Sequence, residues 1–144
     1  MQLPIRLIIA DDHALFRQGL KSLLLLQSEI KVIAEVERAA DLHALLAATQ
    51  CDVLLLDLQM DRWLMDDIPK FAAITSVIVL TASESGQNGV QALRLGARAI
   101  VHKRFAIETL MTAIRTVADG LVWMPPTVQS EFAAQSSSTA KRLT

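Results

Sequence analysis

Asp11, Asp12, Asp57, Thr81 and Lys103 are the residues of this chain whose types and positions could do chemistry together. Each stands where a short apolar run ends. Ile5-Arg6-Leu7-Ile8-Ile9-Ala10 leads into Asp11-Asp12, and Val53-Leu54-Leu55-Leu56 leads into Asp57. Ser76-Val77-Ile78-Val79-Leu80 leads into Thr81, and Arg98 to His102 leads into Lys103. Runs this short and this apolar read as strands buried on both faces, the habit of a parallel sheet. In open α/β sheets the ligand crevice lies outside the carboxyl ends of the strands, so all five residues would meet at one edge. A buried carboxylate is costly unless it sits near cations. Three carboxylates gathered there repel one another and favour a hard divalent cation. Mg²⁺ suits them, because it takes a carboxylate or two, some waters and a phosphate oxygen. A lysine ammonium suits an anion, and a threonine hydroxyl can donate to one. The set could place a phosphoryl group on a carboxylate, a form of covalent catalysis. Alone, Asp57 reads as a cap after a core strand and Asp12 as a helix N-cap.

The elements that position these residues follow from periodicity. Phe16, Leu20, Leu23 and Leu24 fall on one helical face, and Leu42, Leu45, Leu46 and Thr49 mark a second, shorter helix. Lys31 to Val36 is a weaker strand between them. Asp61 to Asp67 forms an acidic loop around Trp63, and Asp66 or Asp67 starts a short helix through Ile74 with Pro69 in its first turn. Ala82 to Gly89 reads as a loop with Ser83 or Ser85 as caps. Val90, Leu93 and Ala97 then sketch a helix closed by Gly96. The clearest helix runs through Ile107, Leu110, Met111, Ile114, Val117, Ala118 and Leu121, with Gly120 near its end. Pro125-Pro126 is expected to stop regular structure, and Ser136 to Thr139 has the composition of a polar linker. Five strands alternating with five helices imply a parallel sheet with right-handed crossovers and helices on both faces. Residues 1–122 are expected to form the domain and 123–144 a linker.

Composition narrows the class. The chain has 144 residues, enough for one ordinary domain, and is 52% hydrophobic and 20% charged. Its 14 basic and 15 acidic residues leave a net charge of -1, so there is no overall basic footprint for nucleic acid. Cys51, the single cysteine, abuts the central strand and reads as a small core residue in a reducing compartment. No stretch reaches the roughly 20 apolar residues that span a bilayer. Met1-Gln2-Leu3-Pro4-Ile5-Arg6 does not read as a signal peptide, so a cytoplasmic location with no membrane partner is expected.

Ile8-Ile9-Ala10-Asp11-Asp12-His13, Leu55-Leu56-Asp57-Leu58-Gln59-Met60, Val79-Leu80-Thr81-Ala82 and Gly96-Ala97 leading to Lys103 resemble the receiver domain of two-component response regulators. The likeness covers about Leu3 to Leu121. It implies an α/β, flavodoxin-like (βα)5 doubly wound parallel sheet in strand order 2-1-3-4-5. It also implies that Asp57 accepts a phosphoryl group from a phosphohistidine on a sensor histidine kinase. Asp12 and Asp57 would bind Mg²⁺ directly, Asp11 mostly through water, with the Gln59 main-chain carbonyl completing the protein ligands. Lys103 would pair with the phosphoryl oxygens, Thr81 would move to hydrogen-bond them, and Ile100 would hold the switch position on the fifth strand. Asp11-Asp12-His13 followed by Phe16-Arg17-Gln18-Gly19-Leu20 resembles the NarL/FixJ type, whose receiver precedes a LuxR-like helix-turn-helix. Lys141-Arg142-Leu143-Thr144 resembles the point where a linker meets that output domain. DNA would then be bound only through an output domain outside this chain, with homodimerisation on phosphorylation. The resemblance implies a regulatory domain for transcription control rather than an enzyme.

Three positions depart from the family pattern. Asp61-Arg62-Trp63-Leu64-Met65-Asp66-Asp67 replaces a proline and glycine turn, Arg104 replaces a proline, and Ile100 replaces a Tyr or Phe. Two other readings stay open. One is a pseudo-receiver, an interaction or dimerisation module indifferent to phosphate. The other is a Mg²⁺-dependent aspartyl-phosphate phosphohydrolase, although such enzymes carry Asp-x-Asp after the first strand, where this chain has adjacent Asp11-Asp12.

Overall fold

A computed structural model describes residues 3–83 and 86–143, with side chains to residue 135. Five parallel strands are ordered β2-β1-β3-β4-β5. They are β1 (Ile5–Ala10), β2 (Ile30–Val36), β3 (Val53–Asp57), β4 (Ser76–Thr81) and β5 (Ala99–His102). Six helices complete the described residues: α1 (Ala14–Leu25), α2 (Ala39–Ala48), α3 (Ile68–Ala72), α4 (Gly86–Arg94), α5 (Ile107–Ala118) and α6 (Pro126–Leu143). A single 3₁₀ turn, Met65–Asp67, leads into α3.

Why β3 reads as continuous apolar sequence is plain from its place. It is the middle strand, and all of its residues are buried. Alternate side chains feed two cores. Leu54 and Leu56, with Ile8, Ala10, Val77, Val79 and Ile100, pack under α2, α3 and α4. Val53 and Leu55, with Leu7, Ile9, Ile78 and Leu80, pack under α1 and α5. Each fully buried aliphatic side chain of this kind stabilises the fold by about 1.5–3 kcal/mol. Register aligns the strand ends: Ala10 pairs with Leu56, Leu56 with Val79, and Thr81 with His102. Asp11, Asp57, Thr81 and Lys103 therefore leave the sheet at one edge.

Several boundaries differ from expectation for identifiable reasons. Asp12 does not cap α1. The cap residue is His13, which is extended and makes no side-chain cap bond. α5 ends at Ala118, because Asp119 and Gly120 turn the chain away. Gly120 has φ 86°, its N–H bonds to the Val117 carbonyl, and the Leu121 N–H bonds to the Thr116 carbonyl. That is a Schellman closure, and it leaves Leu121 61% exposed instead of in the core. The segment after Pro125 is not irregular. Pro126 occupies the first position of α6, where a missing N–H costs nothing, and the N–H groups of Val128 and Gln129 bond to the Pro125 carbonyl. Before it, Trp123 runs beside β5, donating to the Arg98 carbonyl at 3.0 Å and accepting from Ile100 at 3.3 Å. α4 begins at Gly86, inside the stretch read as loop. The expectation for Ser85 falls outside the described residues.

Two glycines should respond oppositely to alanine. Gly96 closes α4 at φ 119°, and a Cβ there would lie 3.0 Å from that of Ala72, so Gly96→Ala should cost about 1–2 kcal/mol. Gly19 lies within α1 with nothing near the Cβ direction, so Gly19→Ala should stabilise by about 0.5–1 kcal/mol. Urea denaturation of both variants checks the two signs.

Candidate functional site

The five residues singled out by sequence meet at the carboxyl edge of the sheet. Asp11 is fully buried and Asp57 nearly so. The Lys103 ammonium lies 2.7 Å from Asp11 Oδ2 and 3.2 Å from Asp57 Oδ2. Lys103 reaches this point because its N–H donates to the Thr81 carbonyl at 2.7 Å, while the ammonium sits 4.6 Å from the centre of the Phe16 ring. Phe105 packs its edge against that ring. This aromatic support beneath a cation is favourable when the site is desolvated. The Lys103–Asp11 contact is an ion pair without hydrogen-bond alignment, so Asp11 Oδ2 is a buried carboxylate oxygen with no hydrogen-bond partner.

Asp57 feels opposing influences. Burial pushes its carboxyl above the ordinary value, Lys103 and the Gln59 N–H pull it down, and Asp11 pushes it up. The Gln59 N–H donates to Asp57 Oδ1 at 3.1 Å. Thr81, across β4, accepts the Ser83 N–H on its hydroxyl oxygen at 3.0 Å. Ile100 lies fully buried within β5, in the core beneath α4 and not in the pocket itself.

His13 was visible in the sequence only as a neighbour of two aspartates. Its Nδ1 lies 3.0 Å from Asp11 Oδ1, 3.2 Å from Asp12 Oδ1, 3.5 Å from Asp57 Oδ2 and 3.0 Å from the Lys103 nitrogen. The donor atoms of Asp11, Asp12, His13 and Asp57 all fall within 4.8 Å of one another. Three carboxylates, one with a buried oxygen that is ion-paired to Lys103 but accepts no hydrogen bond, fit a hard divalent cation.

The acidic loop after β3 is a small closed structure. Met60 donates to the Arg62 carbonyl and Leu64 to the Leu58 carbonyl, so Gln59 and Trp63 face each other as a bridge. In that pattern the Gln59 carbonyl takes no part in the pairing. Leu58, Met60, Leu64 and Met65 bury the underside, while Trp63 stays 47% exposed. Two polar ties hold the loop to α2. Asp61 Oδ1 accepts the N–H of Ala39, the first residue of α2, at 2.8 Å. Asp67 receives both Arg62 nitrogens at 2.8 Å and faces His43 Nε2 at 2.8 Å. The contacts to α2 were not legible in sequence, because Ala39–Asp61 and His43–Asp67 join residues more than twenty positions apart, and the Arg62–Asp67 pair, five apart, lies inside a loop with no regular period. Elsewhere, a depression of 1060 Å³ opens at the opposite edge of the sheet, where Arg6 and Asp52 pair with each other.

A doubly wound parallel sheet with carboxylates, a hydroxyl and an ammonium at its carboxyl edge defines a receiver-type regulatory domain. The model of the response regulator receiver domain matches residues 7–115, and the chain belongs to that family. It is 31% identical over 134 residues to the transcriptional regulatory protein UhpA of Salmonella typhimurium, covering 90% of this chain and 67% of that protein. It is 29% identical over 129 residues to the transcriptional regulatory protein DegU of Brevibacillus brevis, covering 86% of this chain and 54% of that one. The isolated REC domain of RcsB from Salmonella enterica serovar Typhimurium in the apo form superposes with TM-score 0.81 at 26% identity, covering 90% of this chain and 98% of that one. The chain spans about half to two thirds of the length of the curated relatives it matches. Those relatives are regulators of the NarL/LuxR type, and the described helices include none long and apolar enough to cross a membrane.

The Asp67 tie has a defined pH dependence. Arg62, followed by His43, holds its carboxyl at about 2, below the ordinary 3.8. A depressed carboxylate contributes stability above its unfolded value and loses it as pH falls through the folded value. Asp67→Asn should therefore cost about 2 kcal/mol at neutral pH, and the gap should close between roughly pH 4 and pH 2. Denaturant melts of parent and variant across that range measure it.

Proposed function

We propose that this chain takes a phosphoryl group onto Asp57 from the phosphohistidine of a sensor histidine kinase and passes that state to a DNA-binding output. The observation that carries this reading is the Lys103 ammonium held between two buried carboxylates, 2.7 Å from Asp11 and 3.2 Å from Asp57. An Asp57 carboxylate oxygen attacks phosphorus, the P–N bond breaks, and its electron pair returns to the imidazole of the kinase. Lys103 then faces phosphoryl oxygens, and the Thr81 hydroxyl turns to donate to one. Asp12 and Asp57 would hold Mg²⁺ directly, Asp11 through water, with the Gln59 carbonyl as the remaining protein ligand. When bound, that ion neutralises charge developing on the transferred group. The acyl phosphate carries about two negative charges where the Asp57 carboxylate carried one, in a pocket already holding Asp11 and Asp12. The domain therefore responds by rearranging its cations and hydroxyl.

Residues 1–122 act as the receiver, and residues 123–144 lead toward a helix-turn-helix output; the relatives' names as transcriptional regulatory proteins support a DNA-binding role for the whole protein. A cytoplasmic location, dimerisation on phosphorylation, and control through the segment from Thr81 to α4 belong to the same reading. A phosphorylation-independent interaction module has one observation in its favour: His13 and Lys103 already stand among the acids. One experiment separates the two. Acetyl phosphate with Mg²⁺ should add one phosphoryl group by intact mass, and Asp57→Asn should abolish it. Asp12→Ala should remove the labelling together with its Mg²⁺ dependence. An Asp57→Asn protein that labels as well as the parent overturns the assignment.

A further inference from the structure

α6 does not hang free. Val128, in the first turn of the helix, is 1% exposed and belongs to the same apolar cluster as Ile100 and Val90. It seats against α4 at a glycine. A Cβ on Gly89 would lie 2.6 Å from Val128 Cγ2 and 3.5 Å from Ile100 Cγ2. One turn earlier, a Cβ on Gly86 would lie 2.8 Å from the Thr127 carbonyl oxygen and 2.9 Å from Glu131 Cβ. Gly86 and Gly89 thus form a saddle on α4 that only residues without side chains can make. The other rim is polar: His102 Nε2, at the end of β5, lies 3.3 Å from Thr127 Oγ1. α6 therefore covers the face made by α4 and the end of β5.

We propose that this face is an interaction surface whose resting occupant is α6, and that phosphorylation at Asp57 displaces α6 from it. The inference rests on the Asp57 reading above and names its output. The coupling begins at Thr81, whose hydroxyl oxygen accepts the Ser83 N–H at 3.0 Å and reaches the Ser83 carbonyl at 3.5 Å. A phosphoryl oxygen is a stronger acceptor than a carbonyl at that distance, so the hydroxyl turns toward it and the 81–83 turn is re-aimed. α4 begins only three residues later, at Gly86. There α6 meets α4 through the Thr127 carbonyl oxygen and the stem of Glu131, whose Cβ is fixed to the helix backbone. A shift of about 1 Å in the first turn of α4 cannot be absorbed, so the packed pair has two discrete states, docked and undocked.

Ile100 accounts for why the partner is α6. It is fully buried beside Gly89 and stiff at χ1. It is smaller than the aromatic residue expected at this place, and Val128 contributes the remaining apolar bulk on the same side of Gly89. The group that comes and goes is then carried on α6, the segment that the proposed function places between receiver and output.

Hydrogen exchange on the full chain tests this, with phosphorylation verified by intact mass on the same sample. After acetyl phosphate and Mg²⁺, amide exchange across Val128–Gln135 should speed up about tenfold or more. Gly89→Ala should give the fast exchange without phosphate, and Gly89→Ala with Val128→Ala, which removes the colliding methyls, should restore slow exchange. A full phosphoryl adduct with unchanged exchange at Val128–Gln135 overturns the displacement and leaves the Asp57 reading standing. Absence of any adduct overturns that reading and the displacement with it. Slow exchange in Gly89→Ala, or fast exchange that the second substitution fails to reverse, shows that the saddle does not hold α6.

Discussion

The structure depends on one contact set: an ammonium placed between two carboxylates where almost no water reaches. Asp11 is fully buried, and Asp57 is nearly so. A buried carboxylate with no opposite charge beside it costs several kcal/mol. Lys103 supplies the opposite charge from the strand two places away from β3. Its route explains otherwise unconnected features. The Thr81 carbonyl anchors its backbone, Phe16 lies beneath its ammonium, and Phe105 steadies Phe16. The strand order is what allows it, because only parallel strands in register deliver their carboxyl ends to one edge.

That same contact set leaves the pocket unfinished. Asp11 Oδ2 has an ion pair but no hydrogen bond, and Asp12 stands more open to solvent than Asp11. One lysine cannot balance three carboxylates, and His13 approaches all of them without being buried. A pocket with surplus negative charge and one fixed cation favours an added divalent cation. With such a cation held by the carboxylates, Lys103 would be left to meet an anionic group.

The parts of this arrangement that were legible in sequence are those carried by local pattern. Strand ends showed because a strand buried on both faces must be apolar until the residue where it leaves the sheet, as at Leu56 and Asp57. α5 showed because one face is buried along its length, although Leu121 kept the periodicity after Gly120 had already turned the chain. What stayed hidden depends on contacts distant in sequence. Asp67 reads locally as a helix start, yet its carboxylate is committed to Arg62 and His43. The loop after β3 lacks the expected proline and glycine and is instead held by those ties and by Asp61 on α2. The proline pair before α6 reads as a break, but at the first position of a helix it is a start, and only burial of Val128 tells the two apart.

If Asp11, Asp12 and Asp57 hold a divalent cation beside Lys103, a Mg²⁺ titration followed by backbone amide NMR will show it. Saturable shifts should be confined to the residues around Asp11–His13, Asp57–Gln59, Thr81 and Lys103, and Asp12→Ala should abolish them. Shifts spread evenly over the surface acids, or a parent protein that does not respond to Mg²⁺, would contradict the account.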